Sequence, residues 1–196
     1  ALVYFAPDAR EELDAVDMKG FWMGYFASRA AAMGAVDASV VTATFYNFSP
    51  AMVARAIPDA WRFALPTELL EARLRGVDRA LRRLCDGELL ESAEVAEAAE
   101  LATSAAEVCA ARPQGRPLGA AHAQVQLADE PHLVLWQALT VLREWRGDGH
   151  IAALVHADVG APECHLLLAA RGTVPAEVLR TSRQWSEDEW TAATER

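Results

Sequence analysis

Cysteine is scarce in this chain. Cys85, Cys109 and Cys164 make an odd, widely spaced set, which excludes a disulfide framework and fits free, packed thiols in a reducing compartment. No run approaches the ~20 apolar residues needed to cross a bilayer, so no membrane span is expected. The apolar start at residues 1–6 has no basic flank and runs straight into Pro7 and Asp8, unlike a signal peptide, and a cytoplasmic location is expected. Basic charge is in deficit too. A net charge of −10 opposes a broad nucleic-acid surface, because non-specific affinity comes from neutralising phosphates; any DNA contact must be local. Also missing are a glycine-rich phosphate loop, a Gly-x-Ser-x-Gly elbow, a Cys-x-x-Cys pair and a His-Glu-x-x-His motif, so no cofactor is expected. His150, His156, Glu163, Cys164 and His165 lie close in sequence but match no tight ligand spacing, and no metal site is expected.

What is present is helical. Of 196 residues 53% are hydrophobic, with alanine a large share, and no sustained apolar–polar alternation marks a half-buried strand. The expected fold is all-α: a multi-helix single domain over 1–196, with one possible subdivision into 1–111 and 118–196 at the Pro/Gly loop 112–117. Helices are expected over 8–16, 20–33 and, against the strand preference of Val40, Val41 and Thr42, over 36–46. Ser49-Pro50 starts another. Residues 66–85 place leucines on one face and Arg75, Arg79, Arg82 and Arg83 on the other. The glutamate-rich stretch 88–111 follows, and the two predict an antiparallel hairpin of complementary charge. Helix resumes at 131, breaks at Gly147-Asp148-Gly149, and continues over 150–157, 163–170, 176–182 and 186–196, with Ser186 and Glu189 forming a capping box.

Three groups of residues carry possible chemistry. Arg75, Arg79, Arg82 and Arg83 could track a phosphate backbone, or pair with the glutamates that follow. Nine aromatics between residues 21 and 63, including Trp22, Tyr25 and Tyr46, could line a small-molecule pocket with Arg29 and Asn47 as polar anchors, or simply form the core. His132, Trp136 and Arg143 fall on one helix face, and Asp148 is placed to cap a following helix that begins with His150. There the helix dipole would favour a neutral imidazole, so His150 could anchor a ligand or act as a general base oriented by Asp148 or Glu144. The alternative is a cap, a salt-bridged surface and a satisfied histidine.

At Gly20-Phe-Trp-Met-Gly-Tyr-Phe-Ala-Ser-Arg-Ala, at Phe45-Tyr-Asn-Phe-Ser-Pro through Trp61, and at 132–154, the chain resembles an actinobacterial family of largely uncharacterised proteins labelled helix-turn-helix-like, distantly similar to the MarR winged-helix regulators. The resemblance implies a helix-turn-helix arrangement, and the family continues past Trp185-Ser-Glu-Asp-Glu-Trp190 into a small wing that this chain stops short of. Three readings follow: a small-molecule-responsive transcriptional regulator, expected to be a homodimer that binds DNA; a small-molecule-binding or sequestering protein with an aromatic pocket; and an enzyme using His150.

Overall fold

The computed structural model describes residues 2–125 and 128–196, and every regular element among them is helical. The helices are α1 (Pro7–Asp14), α2 (Phe21–Ala30), α3 (Ala38–Thr44), α4 (Pro50–Ala54), α5 (Pro66–Leu84), α6 (Gly87–Leu90), α7 (Ala93–Ala110), α8 (Pro117–His122), α9 (Pro131–His156), α10 (Ala161–Ala170), α11 (Ala176–Arg183) and α12 (Glu187–Thr194). Short 3-10 turns occupy Leu2–Phe5, Ala31–Met33 and Asp59–Arg62. No single helix among the described residues is long and apolar enough to cross a membrane; α9 and α10 reach that composition only together, across a 99° bend.

Local chemistry sets the helix starts. Ser49 Oγ accepts from the Met52 amide, and Ser186 and Glu189 cap α12 reciprocally, as their spacing predicts. Residues 38–44 are helical despite their β-branched content, with Val41 fully buried against the core, so packing overrides intrinsic preference. The predicted helix 88–111 is divided: Ser92 Oγ takes the Val95 amide and starts α7 after the single turn of α6.

Two larger expectations are corrected. The acidic helix does not lie along the arginine stripe: α7 packs on α9, and α5 packs on α1. The α5–α1 contact is close because a Cβ on Gly76 would stand 2.7 Å from Ala9 Cα. The break at Gly147-Asp148-Gly149 is also absent, and α9 runs unbroken for 26 residues. Each glycine costs a helix about 1 kcal/mol relative to alanine. Here α8 lies against this stretch, Asp148 is buried beneath it, and the contact offsets that cost.

The central core gathers around α2. Phe26 is fully buried between Phe45 and Phe48, at ring distances of 5.7 and 4.9 Å, with Trp22, Tyr25 and Trp61 packed on the outside. The Trp61 indole donates to the Val36 carbonyl at 2.8 Å, satisfying its polar edge. Of the aromatic set Phe26, Phe45 and Phe48 are buried core and Phe63 is exposed; the other five are partly buried around them.

Candidate ligand cleft

Where α2, α9 and the C-terminal helices meet, the core opens onto a cleft of about 500 Å³. Its floor is a buried ion pair. Arg29 of α2 donates from Nη2 to both oxygens of Glu144 of α9, at 2.9 and 2.8 Å, and from Nη1 to the Tyr25 hydroxyl at 2.6 Å. The two charged side chains are 8% and 4% exposed, and the guanidinium lies 4.4 Å from the centre of the Phe45 ring. A charge taken this far out of water persists only when paired. Burial pulls the Arg29 pKa down, but the Glu144 charge, the Tyr25 and Tyr4 hydroxyls and the hydrogen bond to Glu144 together leave it raised, so the guanidinium stays charged. Arg143 contacts Glu144 from the same helix and is half-exposed.

The walls come from the segment around Tyr46, from α9 between Arg143 and Leu154, and from α10 and α11. Backbone carbonyls lock them together. Tyr46 donates its hydroxyl proton to the Val159 carbonyl at 2.7 Å, and burial pushes its pKa up. The Asn47 carbonyl accepts from His165 Nε2 at 2.8 Å and from the Trp185 indole at 3.2 Å. The His165 ring is therefore held with its proton on Nε2, leaving a buried Nδ1 lone pair without a protein partner. Burial holds its pKa down. Arg183, at the end of α11, lies 4.6 Å from the Phe48 ring and 5.9 Å from the Trp22 ring.

The predicted site residues divide between this cleft and elsewhere. Tyr25, Arg29, Tyr46, Asn47, Arg143, Asp148 and His150 line it. Trp22 belongs to the core wall behind. His132 bonds Asp78 of α5 at 2.7 Å, and Trp136 stacks under the Arg73 guanidinium at 4.7 Å, so both face α5 rather than the cleft. The expected Asp148–His150 pair is corrected. Residues two apart on a helix do not face each other, and the Asp148 carboxylate accepts the Gly119 amide at 2.8 Å instead of capping a helix. His150 is exposed in the interior of α9, not in a first turn, and Glu144 is committed to Arg29 and Arg143 rather than to it. Among the described residues no three His, Cys, Asp or Glu side chains gather as a metal site.

The arginine stripe of α5 is neutralised. Arg75 pairs with Glu12 at 2.8 Å, Arg79 with Glu11 and Glu12 at 2.6 and 2.9 Å, Arg82 with Asp78 at 2.9 Å and Arg83 with Asp8 at 2.8 Å. Its partners lie on α1 and on α5 itself, not on the following glutamates. Hydrogen bonds from these arginines hold the Asp8 and Glu12 carboxyls below the usual range.

Sequence reading took Glu144 for salt-bridging surface, considered His165 only as a metal ligand, and placed none of Arg146, Arg171, Arg183 and His165 at a ligand site. No local pattern singles out the three arginines: none has a carboxylate three or four positions away on its own helix, but the same holds for Arg79 and Arg83, which pair across to α1.

Behind the floor, His122 of α8 is fully buried, and its Nε2 lies 3.1 Å from the Arg29 carbonyl oxygen. That oxygen can only accept, so Nε2 carries the proton; the Arg73 contact at 3.5 Å sets donor against donor and is not a hydrogen bond. Burial, then the Arg73 charge, holds the His122 pKa well below 6.5. Above pH 6.5 the ring is neutral in both folded and unfolded chains. Below it the unfolded chain takes up a proton that the folded chain does not, so stability falls with pH until the folded value is reached, by up to about 1.4 kcal/mol per unit. His122→Gln retains a donor for the Arg29 carbonyl and is expected to flatten the decline of Tm between pH 6.5 and 5. An unchanged slope would assign that decline to His165 or other groups.

No curated protein and no solved structure matches the chain significantly. A family model does, over residues 1–196, and the chain belongs to that helix-turn-helix family.

Proposed function

We propose that this protein is a ligand-responsive helix-turn-helix regulator in which the cleft senses a small molecule and the C-terminal helices carry the DNA-reading unit. The observation that supports it is the make-up of the cleft. One side belongs to α2 and α9, the other to α10 and α11, so an occupant contacts both bodies at once. A ligand that prefers one arrangement of these walls shifts the population toward it. The reading unit of the proposal is α11 and α12, two eight-residue helices joined by Gln184–Ser186, a three-residue connection of the helix-turn-helix kind. Gln184 turns the chain at φ 57°, and buried Trp185 ties the turn to Asn47 in the cleft wall.

A second reading is favoured by charge. The first turn of α12 carries Glu187, Asp188 and Glu189 where a recognition helix meets phosphates and bases, and the α5 arginines are already paired. On those grounds the alternative is a protein that binds the same small molecule without binding DNA.

A thermal-shift screen of metabolites and aromatic natural products, beside a salt-titrated DNA-binding assay on the protein's own promoter, separates them. The regulator is expected to bind that DNA with affinity falling steeply as salt rises, and to release it with a ligand that raises Tm. A ligand that raises Tm with no DNA binding at low salt supports the second reading and sinks the first.

A further inference from the structure

We infer that the cleft is built for a small organic anion carrying a flat apolar body, its negative group held by Arg183 with Arg146 and Arg171. This rests on the reading of the cleft as a ligand site and names the class of ligand.

Charge sets the class of ligand. The whole chain carries −10, yet this cleft is lined by five arginines and only two carboxylates, leaving it locally positive by three. The surplus is not neutralised from elsewhere. Glu144 is shared by Arg29 and Arg143, and Asp148 accepts the Gly119 amide. Arg146, Arg171 and Arg183 have no carboxylate within ion-pair distance among the described residues. The contrast with α5 is informative, because every arginine of that stripe has found an acid.

Arg183 is the most constrained of the three. It is partly buried between the cleft and the Phe48 ring, and its Nε is buried without a partner. Burial lowers its pKa with no carboxylate to raise it again. A partly buried guanidinium whose Nε is unpaired costs stability that an incoming anion would recover, and its planar fork suits a carboxylate. The rest of the lining sets the body of the ligand. Phe45, Phe48, Ile151, Leu154, Leu167 and Leu168 supply apolar surface, and Leu167 and Leu168, 58% and 36% exposed, are open to solvent rather than fully packed. His165 adds a buried Nδ1 acceptor suited to a hydroxyl or N–H on the ligand.

The test uses three probes of one shape and different charge: 1-naphthoate, the neutral 1-naphthamide and the cationic 1-naphthylmethylammonium, titrated by calorimetry into the wild-type protein. Naphthoate is expected to bind at least about tenfold tighter than the amide, about 1.4 kcal/mol, and the ammonium more weakly still. Arg183→Gln, and separately the exposed pair Arg146→Gln with Arg171→Gln, should each weaken naphthoate several-fold and leave the amide within about twofold. The surface pair keeps the test sound if Arg183→Gln folds poorly. Equal binding of naphthoate and amide, or a matching loss of both in the variants, overturns the anion inference and leaves the cleft as a neutral-ligand site. Failure of all three to bind at millimolar concentration overturns the anion site, whereas the regulator reading stands or falls on the DNA titration.

Discussion

Glu144→Gln is expected to cost about 3–5 kcal/mol of unfolding free energy, because it strands a buried guanidinium. Arg29 is 8% exposed, is enclosed by the Phe45 and Tyr25 rings, and among the described residues has no second carboxylate within ion-pair distance. The converse change is milder. In Arg29→Met the carboxylate of Glu144 keeps Arg143, which reaches it from the adjacent position and from solvent. A loss of about 1–3 kcal/mol is expected there, and the double variant Arg29→Met with Glu144→Gln should be more stable than Glu144→Gln alone. Urea unfolding of the three variants checks both the asymmetry and the recovery. Equal losses that simply add would mean that the two side chains do not act as a pair.

Gly119→Ala should be nearly as damaging, for a steric reason. The added Cβ would stand 2.6 Å from Trp145 Cα and 2.7 Å from its nitrogen, and backbone cannot yield as a flexible side chain does. α8 must then move off α9, drawing the Gly119 amide away from Asp148. Burial already raises the Asp148 pKa, so loss of that donor leaves a carboxylate poorly solvated at neutral pH. Overpacking and the lost hydrogen bond together give about 2–5 kcal/mol. Gly147→Ala is the matched control. Its Cβ would meet only a Glu144 oxygen, at 4.0 Å, within a regular helix, so it should be neutral or stabilising by up to about 1 kcal/mol. A Tm unchanged by Gly119→Ala would contradict the close contact of α8 and α9.

These two variants also mark where sequence reading stops. The all-helical architecture was legible because apolar residues recur at helical spacing and the caps at Ser49 and Ser186 obey local chemistry. Gly147-Asp148-Gly149 misled, because two glycines flanking an aspartate are the local signature of a turn. Their helical state depends on α8, about thirty residues earlier in the chain, resting against them, and no local pattern carries that contact. The arginine stripe was visible, but its partners were not: α1 and the acidic stretch 88–111 offer similar carboxylates, and only tertiary packing chooses α1.

The candidate site shows the same division. Arg29, Tyr46 and Asn47 were picked out with the aromatic cluster and His150 with the polar stretch around Asp148, and the fold brings them into one cleft. His132 and Trp136 share a helix face with Arg143, yet α9 is long enough to serve two surfaces. Its N-terminal half meets α5, through Asp78 and Arg73, while its C-terminal half meets the cleft. Glu144 read as surface because it sits among Arg143 and Arg146; its burial depends on Arg29, 115 positions earlier.

In the proposed regulator a ligand enters between α9 and the C-terminal helices and acts on both. Amide hydrogen exchange, followed by mass spectrometry on the free protein and on its complex with a ligand returned by the thermal screen, tests this most directly. Added protection is expected in three separated segments at once: 44–48, the part of α9 from Arg143 to Leu154, and α10 with α11. Protection confined to α7 and α8, with no change in α10 and α11, would contradict the claim.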